Sequence, residues 1–463
     1  MRPDVRLRFT GLLTVATVGV YLLVMVGATA ALADAAEACV GWPLCGGPIT
    51  FAPAVVVALG HRLLAAVVGL IVVATAVRAW RRETETRVRA ALAVALVLYP
   101  VQVALGAVIA TTGAVGALPG VHLAAGMGIF GALVVALAWH LEADAETDPA
   151  TDAVEPAPAP EPVGPRPAPV PPTGLARVKA TLAAYVRLTK PRLMWLLCLV
   201  ASAGMALASG PGLSVQTVVA TLGGGVLAIG ASGTFNHVLE RDVDQKMQRT
   251  SDRPVATHQV PVRNALAFGV VLAVASVAAF LTVNVLAAAL GVAAIVFYSV
   301  VYTLVLKPNT VQNTVIGGAA GALPALIGWA AVTGTVGLPA LALAGVIFLW
   351  TPAHFYNLAL AYREDYERGG FPMMPVVRGE AVTRKHILWY LGATLLSAGA
   401  LSAMTDLGWL YAATSVALGA VFLWAVVRLH RERDTSAAFR AFHASNVYLG
   451  ALLLAVVVDA LAV

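Results

Sequence analysis

Residues 215–244 read VQTVVATLGGGVLAIGASGTFNHVLERDVD, a long apolar run that ends abruptly on charge. Residues 215–235 are long enough to cross a bilayer core of roughly 30 Å as a helix. In lipid a single segment satisfies all its backbone groups only as a helix. Beyond the run, Asn236, Glu240 and Asp244 recur every four residues and share one helix face. Acidic side chains at a membrane boundary repel one another and cost desolvation energy, so something compensates them. A hard divalent cation such as Mg²⁺ takes oxygen ligands and shares them with phosphates. Arg241, Lys246, Arg249 and Arg253 follow closely, where they can hold what the metal leaves exposed. The pattern describes a membrane site for a diphosphate.

The rest of the chain extends the pattern. It is 59% hydrophobic and only 12% charged, with a mean hydropathy of +0.83. About thirteen apolar runs of spanning length recur, near residues 10–32, 52–77, 90–110, 117–139, 193–209, 215–235, 264–282, 287–305, 314–333, 337–360, 386–404, 408–427 and 444–462. The expected fold is an all-α polytopic membrane protein. Its net charge of +6 does not indicate nucleic-acid binding, because the positive residues fill alternate loops. Arg2, Arg6 and Arg8 precede the first run; Arg78, Arg81, Arg82, Arg87 and Arg89 fill the second connection; Arg428, Arg431 and Arg433 lie near the end. Loops 33–50, 209–215 and 405–407 carry no Lys or Arg. Thirteen spans with this alternation place the N-terminus in the cytoplasm and the C-terminus outside the cell membrane. The first run is too long for a signal peptide and is read as a retained span.

Residues 141–175 break the pattern with acidic and then Pro/Ala-rich sequence, which reads as an extended linker. It divides a four-span unit, 1–140, from a nine-span unit, 176–463. In the second unit His354, Asn357, Arg363, Glu364, Asp365 and Tyr366 close the run at 337–360. Two acidic helix ends at one face can grip one diphosphate through Mg²⁺. Connections carrying Arg187, Lys190 and Arg192, and Tyr302 and Lys307, add cations that can take the leaving group's charge. Lys190, Arg192 and Arg253 also fit ordinary positive-inside anchors, and Arg241 and Asp242 read as solvated loop charges.

Several of these stretches together resemble the UbiA-type membrane prenyltransferases, and among them the haem O synthase family. They are Leu188-Thr189-Lys190-Pro191-Arg192, Phe235-Asn236 through Arg249-Thr250, Asn313 through Gly318, Pro352-Ala353-His354-Phe355, and Asp365-Tyr366 with Pro372-Met373-Met374-Pro375. Glu240 fills a position where the superfamily commonly has Asp. The resemblance implies farnesyl transfer from farnesyl diphosphate to a vinyl group of haem B, supporting haem formation for terminal oxidases. It puts Asn236, Glu240 and Asp244 on a first Mg²⁺ and Asp365 on a second. It puts Lys190, Arg192, Arg249, Arg253 and Lys307 on the diphosphate. His354 reads either as a haem contact or as packing.

The N-terminal unit carries His61 and His122 at matched depth on different spans, where two imidazoles can ligate one haem or simply pack. Cys39 and Cys45 lie in an outer loop where a disulfide can form. Cys198 falls inside a span and reads as packing, and His140 as an interfacial residue. This unit resembles half of haem A synthase, without the family's glutamate before the first histidine. The half-unit implies three roles: pairing with a second copy as a homodimer, binding haem without catalysis, or receiving the neighbouring unit's product in association with haem A synthase or oxidase assembly. Two rival readings of the whole chain stand beside haem farnesylation. One is a UbiA-type enzyme acting on a quinone or lipid precursor; the other is a haem carrier without catalysis.

Overall fold

The computed structural model describes residues 3–32, 35–47, 51–146 and 173–462. Among them are thirteen helices long and apolar enough to cross a membrane, as the hydropathy pattern implies. The protein is a multi-pass, all-helical membrane protein. Four spans come first: α1 Pro3–Leu32, α2 Pro53–Arg81, α3 Thr86–Thr112 and α4 Leu118–Glu146. The short surface helix α5, Gly174–Leu188, precedes α6 Pro191–Ser209, α7 Val215–Leu239 and α8 Val262–Leu281. Then follow α9 Val285–Asn309, α10 Asn313–Thr333, α11 Leu338–Ala361, the short α12 Arg363–Arg368, α13 Glu380–Ala403, α14 Trp409–Glu432 and α15 Thr435–Ala462.

Most of the proposed linker, residues 147–172, lies outside the described residues. Its two ends are helical rather than extended: α4 continues to Glu146 and α5 begins at Gly174. α5 is amphipathic, with Ala184 and Leu188 buried and Leu175, Val178, Leu182 and Val186 exposed along one stripe. An apolar stripe flanked by Arg177 and Lys179 suits a helix lying in the membrane interface. Arg187 ties it to the 240–258 loop through Asp252, at 2.7 Å. The chain then turns at Lys190, whose φ of 54° is left-handed. Pro191 is the first residue of α6, and proline disfavours the right-handed helical region for the residue before it. This turn separates the directions of α5 and α6.

The two units do not form separate bodies, because one apolar core runs through both. α4 packs on α13, and α1 packs on α13 and α14. Gly392 of α13 admits Val134 of α4 so closely that a Cβ there would come within 2.7 Å of it. Tyr21 and Ser415 share a 2.6 Å hydrogen bond across the same contact. Glu142 accepts Arg87 at 3.0 Å and also pairs with Lys385, joining α3, α4 and α13. His140, expected at the interface, is instead buried between α1 and α4, 3.1 Å from Thr10 Oγ1. Its imidazole finds a hydrogen-bond partner inside the bundle, which favours burial.

α6 and α10 cross with almost no side chain between them. A Cβ at Gly204 would lie 2.3 Å from the Ala325 carbonyl oxygen, and one at Gly328 2.1 Å from that of Ala201. Membrane helices associate through such small-residue faces, where backbones approach closely. In α9, residues Phe297–Leu306 are wound as a π-helix. The wider turn changes which side chains face inward, a feature common at functional sites.

Candidate active site

The acidic stripe survives a break in its helix. α7 ends at Leu239, and Glu240 caps it before a short helix over Arg241–Asp244. Backbone bonds from Glu240 N to Asn236 O, 2.9 Å, and from Asp244 N to Glu240 O, 2.8 Å, preserve the four-residue register. Asn236, Glu240 and Asp244 are 2%, 5% and 2% exposed. Buried charges need partners, and each of these side chains has one. Lys190 Nζ donates to Asn236 Oδ1 and, at 3.2 Å, to the Tyr298 hydroxyl. Lys307 pairs with Glu240. Arg253 Nη1 lies 2.8 Å from both Asp244 oxygens and 3.4 Å from Glu240 Oε2.

The titration of the cluster follows from this packing. Burial alone would raise the Glu240 carboxyl, but Lys307 and Lys190 outweigh it and bring it down to about 2. Burial dominates for Asp244, whose carboxyl stays above the ordinary aspartate value despite Arg253. Burial, and then Arg253, push the Lys190 ammonium down to about 7. A dianion or trianion entering such a site would find three cations already converged.

The remaining expected residues divide. Arg249 joins the rim, its guanidinium 5.3 Å and 5.7 Å from the Tyr362 and Tyr366 ring centres. Arg192 is exposed and makes none of these contacts, because the left-handed turn at Lys190 sends only Lys190 into the cluster. Asp365 is buried, but it accepts the backbone N–H groups of Gln248, at 2.8 Å, and Arg249, at 2.9 Å, as well as Arg368. It holds the loop that carries Arg249. Arg241 and Asp242 pair with each other at 2.7 Å on the surface, as solvated loop charges do. Two residues of the site went unread in the sequence. Tyr298 bonds Lys190, and Thr303 Oγ1 accepts Asn236 Nδ2 at 3.2 Å. Both lie on the π-helical turn, whose register no apolar period announces. His354 is buried between aromatic rings, with Nδ1 2.6 Å from Ser445 Oγ.

In the N-terminal unit Cys39 and Cys45 form a disulfide; Cys198, on α6 of the second unit, is a free, half-buried thiol. Arg62 braces the cysteine loop through the Cys39 carbonyl, 2.9 Å, and the Pro43 carbonyl, 3.2 Å. His122 Nε2 is 3.1 Å from Gln102 Nε2. His61 Nδ1, His122 Nδ1 and Gln102 Oε1 are buried without a partner among the described residues. Gly27 and Gly106 let the two imidazoles pack against helix backbone: a Cβ there would come 3.3 Å from the His61 ring and 3.1 Å from the His122 ring.

The UbiA prenyltransferase family matches residues 196–450. Protoheme IX farnesyltransferase 1 of Natronomonas pharaonis is 69% identical over 98% of this chain and 99% of its own. Protoheme IX farnesyltransferase of Haloarcula marismortui is 67% identical over 98% of each chain. These matches run through the four N-terminal spans as well. A solved structure of digeranylgeranylglyceryl phosphate synthase superposes with a TM-score of 0.52 at 15% identity. It covers 61% of this chain and 99% of that one, a likeness of fold.

Proposed function

The chain belongs to the UbiA prenyltransferase family, and from that premise we propose that it farnesylates haem B to make haem O. The observation that carries the donor half is the convergence of the half-buried Lys190, Arg253 and Lys307 on the buried Asn236, Glu240 and Asp244. The acceptor is read from the named activity of the full-length relatives.

The carbon–oxygen bond of farnesyl diphosphate breaks and its electron pair leaves with the diphosphate. The terminal carbon of a haem vinyl group then bonds to the allylic carbon, and water captures the cation left beside the porphyrin. This gives a hydroxyethylfarnesyl substituent and releases one proton. Lys190, Arg249, Arg253 and Lys307 bind the diphosphate and stabilise its growing charge. Asn236, Glu240 and Asp244 offer oxygen donors suited to Mg²⁺, since one guanidinium nitrogen already reaches both carboxylates. When bound, Mg²⁺ supplies charge neutralisation to the leaving group. Asp365 positions the Gln248–Arg249 loop, and its engaged oxygens do not favour a second metal there.

In the N-terminal unit His61 and His122 would hold a haem. Three buried polar atoms without a partner among the described residues fit that role. The site face of α7 is placed in the cytoplasm and the cysteine loop outside, following the loop charges.

Mass spectrometry of membranes supplied with haem B, farnesyl diphosphate and Mg²⁺ tests the reading. A farnesyl-hydroxyethyl haem is expected, lost with EDTA and reduced at least 100-fold in folded Asp244→Asn, as for removal of a transition-state donor. Prenylation of a quinone or lipid acceptor in place of haem overturns it.

A further inference from the structure

His354 is a buried polar side chain that the transfer scheme leaves without a task, and its neighbours locate its proton. It lies on α11, about two turns before the end at Ala361. Its ring sits between Trp350, with centroids 4.2 Å apart, and Phe442 of α15, 4.3 Å away. Nδ1 is 2.6 Å from Ser445 Oγ, and that hydroxyl is 2.7 Å from the Phe442 carbonyl oxygen. Trp350 Nε1 donates to the Ser445 carbonyl at 3.0 Å, locking the serine's backbone in place.

A hydroxyl has one hydrogen, and a carbonyl can only accept. With the hydroxyl donating to Phe442, Ser445 Oγ receives Nδ1–H and both hydrogen bonds form. The reverse arrangement loses the carbonyl bond and places a hydrogen on Nε2, which has no acceptor among the described residues. A protonated ring has the same defect. Two bonds against one therefore leave Nε2 as a bare lone pair on a ring that two aromatic neighbours prevent from turning. Donation of one imidazole N–H to a fixed acceptor is how proteins orient a metal-ligating histidine.

We propose that His354 Nε2 is an axial ligand to the iron of the acceptor haem, with Ser445 the positioning residue that sets its tautomer. This rests on haem being the acceptor, as argued above. An iron–nitrogen bond to an immobilised imidazole fixes the porphyrin's normal, and with it the approach of the vinyl group to the allylic carbon.

The test uses the full chain carrying His61→Ala and His122→Ala, so that those imidazoles make no contribution. Haem B is bound and followed by absorption and electron paramagnetic resonance. His354→Ala is expected to abolish the histidine-ligated signature and raise the KM for haem at least tenfold, with added imidazole restoring both. Ser445→Ala is expected to raise that KM by about tenfold, the lower range for loss of an orienting partner. Loss of His354 should raise the KM for metal-free protoporphyrin IX less than that for haem. If His354→Ala does not fold, His354→Gln, of similar size, should lose the signature equally. Haem prenylation continuing with an unchanged spectrum and an unchanged haem-to-protoporphyrin preference overturns the ligation. No prenylated product from the parent chain overturns the transfer reading instead, and the spectra then decide the ligation separately.

Discussion

Replacing Arg253 with methionine tests whether the half-buried cations occupy the place of a metal. Arg253 is the ion-pair partner of Asp244, at 2.8 Å, whereas Glu240 retains Lys307. Methionine keeps much of the apolar stem and removes the charge. Asp244, 2% exposed, must then stay ionised without a partner or take up a proton. Burial already raises its carboxyl against the pull of Arg253, so protonation is the easier course. Neutralising a carboxyl of ordinary pKa 3.8 at pH 7 costs about 4 kcal/mol, at about 1.36 kcal/mol per pH unit, and the loss relative to the parent lies below this because the parent's carboxyl is already raised. That agrees with the ~3–5 kcal/mol expected when a buried pair loses one member. In the variant the folded pKa lies above the unfolded one. The deficit is therefore present above the unfolded pKa and shrinks as pH falls toward it, to less than about 2 kcal/mol at pH 5. Mg²⁺ should stabilise the variant more than the parent, because the carboxylates it would bind are no longer covered by a guanidinium. Unfolding in detergent at pH 5 and pH 7, with EDTA or Mg²⁺, reads all three effects. A deficit equal at both pH values, or Mg²⁺ acting alike on both proteins, would refute the reasoning.

Three further outcomes follow from other parts of the molecule. Gly328→Ala should cost about 1–3 kcal/mol in unfolding measurements, because the new Cβ meets the rigid backbone of Ala201 rather than a movable side chain; unchanged stability would mean that α6 and α10 pack more loosely. His61→Ala should reduce the haem retained by the purified chain at least twofold, and an unaltered absorption spectrum would remove the ligand assignment. Lys190 loses its charge above about pH 7 in the free protein, so binding a diphosphate there requires proton uptake. The KM for the prenyl donor should rise from pH 7 to pH 9, by up to about tenfold per unit; a flat profile excludes Lys190 from the diphosphate.

Hydropathy disclosed the thirteen spans because lipid allows a spanning chain so few backbone solutions. The four-residue spacing disclosed the Asn236, Glu240 and Asp244 stripe because hydrogen bonds carry that register through the break at Glu240. What stayed hidden depends on local winding. Lys190 and Arg192 look equivalent in sequence, yet one left-handed residue before Pro191 brings the first, half-buried, into the cluster and leaves the second exposed. Tyr298 and Thr303 reach the site through a π-helical turn, which no period of 3.6 residues anticipates. The joining of the two units was equally silent, since Gly392 reads simply as a small residue within a span until Val134 is found against it.

Local winding also explains why donor and acceptor chemistry can be held in register by one element. α11 carries His354 about two turns before its end, and α12 follows it directly with Asp365, which clamps the backbone of Gln248 and Arg249. In the proposed scheme the imidazole meets the haem, while the clamped loop brings Arg249 toward the diphosphate. A shift of α11 along its axis would displace both together and leave their separation unchanged. Trp350 and Ser445 oppose such a shift through the 3.0 Å bond that ties α11 to α15. Reaction geometry in this chain therefore depends less on the two sites separately than on the rigidity of the helix between them.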